Sequence, residues 1–176
     1  KDNPIEYSSY IESVSDIVKN TCKENDFPLP FILMEPGRSI VGAAGITLYK
    51  AGSVKEIPGI RTYVAIDGGM TDNPRYALYK SEYEAVVANK ASKPRDFSVT
   101  LAGKCCESGD LIGENMLIQK PQSGDIIAVL STGAYNYSMA SHYNRIPNPA
   151  VVMIKDGQDR LAIKRETYED LVKNDL

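Results

Sequence analysis

Glu35-Pro36-Gly37-Arg38 sets a carboxylate, a position without a side chain and a guanidinium within four residues, directly after the apolar run Phe31-Ile32-Leu33-Met34. A carboxylate at the end of a buried strand needs a cation or several donors facing it. That partner is either Arg38, in a local salt bridge ahead of a helix start built on Pro36 and Gly37, or the cation of a ligand. In the second case Gly37 lets the backbone approach an anion and Arg38 grips a carboxylate or phosphate. Arg75 and Tyr79 follow Asp67-Gly68-Gly69-Met70 and an Asp-Asn-Pro turn; four residues apart, they share a face if that segment is helical. Their default reading is a surface arginine and a half-buried tyrosine. Cys105-Cys106-Glu107-Ser108-Gly109-Asp110 places thiols beside carboxylates in a loop. A neighbouring negative charge disfavours a thiolate, which suits a proton donor better than a nucleophile. The plain alternative is an inert packed cysteine and a solvated glutamate, and Cys105 receives only that reading. Tyr135, after Thr132-Gly133, lies among hydroxyls able to hold a phosphate, though such clusters also make ordinary turns. The lone His142 reads as a structural or surface histidine.

The chain that must position these groups has 176 residues, of which 43% are apolar and 24% charged, enough for one domain, or a domain plus a piece of another, with a sizeable core. A formal net charge of -3 lacks the basic excess that draws a chain to phosphate backbones, so nucleic acid is excluded as a partner. No stretch has the roughly 18 to 20 apolar residues that span a bilayer, and no apolar signal core follows the N-terminus. A cytoplasmic location without membrane is expected. Cysteines at 22, 105 and 106 make no disulfide framework and fit a reducing compartment, and with one histidine and no C-x-x-C spacing no metal site is expected.

Tyr7, Ile11, Val14 and Val18 recur at helical spacing, and Asn3 as N-cap with Pro4 behind it predicts a helix over about 4–24, before Pro28. The unbroken apolar run at 31–35 predicts a strand buried on both faces, as in parallel sheets under helices. One helix and one such strand, repeated nowhere else, read as the tail of an α/β domain begun upstream. The chain also starts without Met, as expected of a piece cut from something longer. From Ile40 the texture changes to short β-runs at 40–50, 61–67, 84–88, 96–102, 111–118, 125–130, 150–155 and 160–164, divided by turn signals at Ala51-Gly52, Pro58-Gly59, Ser108-Gly109, Ser123-Gly124 and Asp156-Gly157. The expected fold is mainly β, an antiparallel barrel or sandwich over 40–176 behind a helix and strand piece at 1–39. A hairpin at Asp156-Gly157 and a closing helix over 166–174 complete it.

The ordered series MEPGRSIVG, VAIDGGMTDNPRYALY, YEAVVANK, AGKCCESGD and STGAYNYSMASHYNRIPNP resembles the C-terminal part of the diaminopimelate decarboxylase family, over essentially the whole chain. Those enzymes are pyridoxal-phosphate decarboxylases with an alanine racemase-like fold, a TIM-like α/β barrel followed by a β domain. The resemblance implies that residues 1–39 are the last helix and strand of the barrel, with Glu35 at its C-terminal mouth. It implies removal of carbon dioxide from the D-centre of meso-diaminopimelate to give L-lysine. Glu35 would pair with the cofactor's pyridine nitrogen; Pro36, Gly37, Arg38 and Tyr135 would adjoin the cofactor, and Arg38 and Tyr135 also the substrate. Arg75 and Tyr79 would hold the distal carboxylate, Cys106 would return the proton, and Glu107 would read the distal ammonium. Cys106 and Glu107 reach the neighbouring subunit's site in that family, so a homodimer with shared active sites is implied. The family's cofactor-bearing lysine, ring-stacking histidine and Gly-rich loop have no counterpart here. Lys90, in Ala88-Asn89-Lys90-Ala91, only echoes the lysine motif. The chain is therefore expected to be inactive without an upstream barrel, and to expose apolar surface on its helix and strand where that barrel is absent. The alternatives are a related ornithine, arginine or carboxynorspermidine decarboxylase, which Arg75 argues against because those substrates lack a distal carboxylate, or a non-catalytic β-domain association module.

Overall fold

The computed structural model describes residues 5–176, and the chain divides after Glu35 into two compact units. In the smaller one, helix α1 spans Tyr7–Glu24 and ends at Asn25, whose backbone and side-chain N–H groups both donate to Thr21 O. The expected N-cap Asn3 and Pro4 lie outside the described residues. No strand forms over 31–35, contrary to the sequence expectation, and Phe31 and Leu33 are 102% and 93% exposed. A strand exists through its ladder, and no described residue pairs with this run. The uncovered apolar surface expected here is present, on Ile11, Ile17, Phe27, Leu29, Phe31 and Leu33.

The larger unit starts at Pro36. The predicted strand over 40–50 begins late because the chain first winds through helix α2 (Arg38–Val41) and a 3-10 turn (Gly42–Ala44). That winding packs on the 132–133 loop: Thr132 N donates to Gly45 O at 2.9 Å and Gly133 N to Gly42 O at 3.0 Å. A Cβ on Gly45 would lie 2.3 Å from Gly133 Cα, so two glycines are what allow the approach. Strand β1 (Ile46–Ile57) then runs through Ala51-Gly52, which makes a bulge between Ala51 and Val54 instead of the expected turn. Next come β2 (Arg61–Ile66), α3 (Arg75–Tyr79), β3 (Ala85–Val87), β4 (Phe97–Ala102), β5 (Leu111–Ile118) and β6 (Ile126–Leu130).

These six strands form one sheet in the order β3-β6-β1-β2-β4-β5. It is mixed: β2 pairs parallel with β4 and the other pairings are antiparallel, a departure from a purely antiparallel barrel. The sheet curls until its outer strands approach, and Gln119, 1% exposed, spans the seam by accepting from Val87 N at 2.8 Å. Val64, Val87, Leu101, Ile112, Ile118 and Ile127 fill the interior with no exposed surface. The result is the nearly closed, barrel-like β domain that the short, evenly spaced runs predict. Strands β7 (Val151–Lys155) and β8 (Gln158–Ile163) make a separate hairpin, turned by Asp156 and Gly157 at φ 51° and 72°. Helix α4 (Tyr168–Val172) follows, capped reciprocally by Thr167 and Asp170. Among the described residues no helix is long and apolar enough to cross a membrane.

Candidate functional site

The loop from β2 to α3 is built against the sheet by buried polar contacts. Asp72, 9% exposed, accepts from Gly69 N at 2.9 Å and from the Tyr49 hydroxyl. Burial pushes the Asp72 carboxyl above the usual carboxylate range, and burial together with the Asp72 charge pushes the Tyr49 phenol up. A Cβ on Gly68 would meet the Tyr49 ring at 2.4 Å, which explains one of the paired glycines. Asn73 and Pro74 then lead into α3, which ends at Lys80 in the left-handed region (φ 53°). The short helix is pinned to β5 through Tyr76, whose hydroxyl donates to Glu114 at 2.5 Å, while Arg61 meets the same carboxylate at 2.6 Å.

Pinning α3 by Tyr76 leaves Arg75 and Tyr79 on another face, and the helical condition for their pairing is met. The Arg75 guanidinium lies 5.3 Å from the Tyr79 ring centroid and 5.5 Å from that of Tyr135. Its Nε is buried without a hydrogen-bond partner, and its Nη2 donates only a long 3.4 Å bond to Ser81. A guanidinium held between two aromatic faces with a donor unspent is arranged to receive an anion. Tyr135 is delivered by the loop that the Gly45–Gly133 approach fixes, in the left-handed region at φ 64°, where a bulky residue is held only by its surroundings. A Cβ on Gly37 would lie 2.9 Å from the Tyr135 hydroxyl oxygen. Gly37, Arg75, Tyr79 and Tyr135, remote in sequence, are thus one group.

Cys106 and Glu107 occupy a separate turn between β4 and β5 and share no hydrogen bond or ring contact with that group among the described residues. Both are exposed; Glu107 accepts from Gly109 N at 3.0 Å and from the Ser108 hydroxyl at 3.4 Å. Cys105 is half-buried, and burial, followed by the Asp110 charge, pushes its thiol up to about 11. A thiol held that high is little ionised at neutral pH. Arg38 opens α2 and is exposed, and Pro36 precedes it in the same unit. Glu35 ends the smaller unit, exposed and without an ion pair among the described residues; with no strand at 31–35, the burial that called for a cation beside it is not realised in this chain. Lys90 is tied to Asp125 at 2.6 Å, a structural ion pair, and His142 to Glu166 at 2.7 Å on the surface.

Sequence reasoning passed over Tyr49, Asp72, Asn73, Glu114 and the buried Asp110. For Tyr49, Asp72 and Asp110 the signal was the glycines, since Gly68, Gly69 and Gly103 leave room that these side chains fill; Asn73 and Glu114 carried no such signal. Glu114 supports a prediction. Its carboxylate is held below the usual range by the Tyr76 hydroxyl first and by Arg61. A folded-state pKa below the unfolded value contributes stability that is present above about 4.5 and lost as pH falls through the folded value. Urea unfolding of Glu114→Gln should therefore fall short of the unsubstituted chain at pH 7, by no more than about 1 kcal/mol for so accessible a pair, and the gap should close on acidification.

Residues 39–133 match the C-terminal sheet domain of the pyridoxal-dependent decarboxylases. The chain belongs to that family. Pyridoxal-dependent decarboxylases similar to it include the diaminopimelate decarboxylases of Bacillus subtilis, 52% identical over 99% of this chain and 40% of that protein, and of Staphylococcus aureus, 50% identical over 98% and 40%. Among solved structures, diaminopimelate decarboxylase from Helicobacter pylori complexed with L-lysine superposes with a TM-score of 0.81 at 29% identity, over 98% of this chain and 40% of that one. The chain thus spans about 40% of the length of these relatives. The family's cofactor is pyridoxal phosphate, and among the residues present the Tyr135 hydroxyl, which a Cβ on Gly37 would crowd at 2.9 Å, is a donor of the kind its phosphate takes.

Proposed function

We propose that this chain is the C-terminal part of a pyridoxal-phosphate-dependent diaminopimelate decarboxylase, which removes the carboxylate at the D-centre of meso-diaminopimelate to release L-lysine and carbon dioxide. The observation that carries this reading is the Arg75 guanidinium, set between Tyr79 and Tyr135 with its buried Nε unpartnered. A diamino acid with one carboxylate offers nothing to that fork once its carboxylate has been lost. Diaminopimelate has a second carboxylate at its far end, which would supply two parallel charge-assisted hydrogen bonds.

When bound, pyridoxal phosphate supplies the electron sink for the charge left as carbon dioxide departs. The chain's residues do the remainder. Gly37 gives backbone access to the phosphate, flanked by Pro36, and Tyr135 donates its hydroxyl there while its ring covers Arg75. Arg38 adjoins phosphate and substrate. Glu35 keeps a proton on the pyridine nitrogen by presenting a negative charge. Arg75 and Tyr79 orient the distal carboxylate, and Glu107 accepts from the distal ammonium. Cys106 gives its S–H proton to the carbon that lost carbon dioxide and regains one from solvent. Cys106 and Glu107, in a turn apart from Arg75, serve the site of a second subunit, so the working enzyme is a homodimer with shared sites in the cytoplasm. The upstream α/β barrel contributes the lysine that holds the cofactor.

The experiment joins the upstream region of a relative to this chain and follows carbon dioxide release. Turnover of diaminopimelate at least about 100-fold above ornithine is expected, since a substrate lacking a bonded charged group forfeits several kcal/mol. The chain alone should give none. Preference for ornithine, or dimerisation without turnover, overturns the reading in favour of a diamine-forming decarboxylase or an association module.

A further inference from the structure

Asp110 is 3% exposed, and its two carboxylate oxygens serve two different loops. Oδ1 accepts from Met70 N at 2.6 Å, in the loop that leads into α3; Oδ2 accepts from Cys105 N at 2.7 Å, in the turn that carries Cys106 and Glu107. The loops are cut to fit it. A Cβ on Gly69 would lie 2.3 Å from Oδ1, and one on Gly103 would lie 2.2 Å from either oxygen. Backbone bonds finish the joint: Gly103 N donates to Asp110 O at 2.8 Å, Asp110 N to Glu107 O at 3.1 Å and Lys104 N to Gly68 O at 3.3 Å.

We propose that Asp110 is a positioning residue that locks the turn bearing Cys106 and Glu107 to the loop that delivers Arg75 and Tyr79. No neutral side chain of this size does the same, because both oxygens must accept and an amide offers one acceptor and one donor. A buried carboxylate is costly to desolvate, and the two short backbone N–H bonds offset that cost. Under the proposed function, Arg75 serves one active site and Cys106 the site of the other subunit. Asp110 thereby ties two sites together through a single side chain. The kinetic consequence rests on the decarboxylase reading; the local consequence, that the same carboxylate adds to the burial that holds the Cys105 thiol protonated, does not.

Two measurements test it. In the enzyme completed with an upstream barrel, Asp110→Asn turns an N–H toward one backbone N–H and frees one loop. KM should rise and kcat fall, each about 10-fold, a combined loss in the range that a misplacement near 1 Å produces. Gly103→Ala, whose Cβ would lie 2.2 Å from both oxygens and so displaces the carboxylate, should show the same split. Asp125→Asn, which weakens the Lys90 and Gln122 contacts of another buried carboxylate, should lose stability and leave both constants within about twofold. In the 176-residue chain itself, alkylation by iodoacetamide with each cysteine resolved by mass should favour Cys106 over Cys105 at neutral pH, and Asp110→Asn, which removes the charge and releases the Cys105 backbone, should shrink that ratio. Unchanged KM and kcat in both variants, an unchanged ratio, or unfolding of both variants while Asp125→Asn stays folded overturns the proposal. A completed enzyme without decarboxylase activity instead overturns the proposed function, and the alkylation ratio then decides this inference alone.

Discussion

Arg75→Met in the completed enzyme should lower kcat/KM for diaminopimelate about 100- to 1000-fold, with turnover of ornithine changed by less than about threefold. Two charge-assisted hydrogen bonds to a carboxylate are together worth about 3 to 4 kcal/mol, and 1.4 kcal/mol is a factor of ten. The loss is expected to be this large because the folded chain gives the guanidinium almost nothing else to do: Nε is unpartnered and the Ser81 bond is long. Arg75→Lys retains the charge but not the fork, and should recover no more than about a tenth of the lost efficiency. Thermal unfolding separates this from a folding defect. Removing a buried donor that lacks a partner takes away a penalty of about 1 to 3 kcal/mol, so Arg75→Met should unfold no earlier than the unsubstituted protein. Retention of kcat/KM within threefold would remove the main support for a substrate with two carboxylates.

How much of this arrangement could be read beforehand depended on whether its determinants were local. Strands β4 through β8 fall within a few residues of their apolar runs, because alternation and turn chemistry are properties of neighbours. Asp156-Gly157 makes its hairpin for the same reason. The start of β1 was misplaced by the 36–45 winding, whose cause is a glycine contact with residue 133. The parallel pairing of β2 with β4 likewise depends on a crossover that no local pattern specifies. The strand over 31–35 is instructive in the opposite sense: its composition is that of a strand buried on both faces, and its ladder needs segments these described residues do not supply. Arg75, Tyr79 and Tyr135 could each be singled out by type, but only folding shows that two rings flank one guanidinium. Asp110 stood in view as the last residue of its motif and had no legible role, since its bonds go to backbone groups 40 and 5 residues away.

Cys106→Ala should act differently from Arg75→Met. The thiol is proposed to touch the reacting carbon and not the distal carboxylate, so kcat should fall about 100- to 10,000-fold, the range of a positioned proton donor, while KM stays within about threefold. Cys106→Ser restores a donor of similar size but far weaker acidity and should recover only part of the rate. The exposed setting of the turn allows the residual reaction to draw a proton from water. A proton that arrives from a fixed side chain reaches one face of the carbon; a proton from bulk water has no such constraint. In deuterium oxide the unsubstituted enzyme should therefore place one deuterium with a single configuration on the carbon that lost carbon dioxide, and Cys106→Ala should place it with both. Full stereospecific labelling in Cys106→Ala would assign the donor to another group. Cys105 is a poor replacement, because burial and the Asp110 carboxylate hold its thiol near 11 and its backbone N–H is committed to that same carboxylate. Loss of kcat at constant KM in Cys106→Ala, set beside loss of both constants in Asp110→Asn, would separate the group that delivers the proton from the carboxylate that holds it in place.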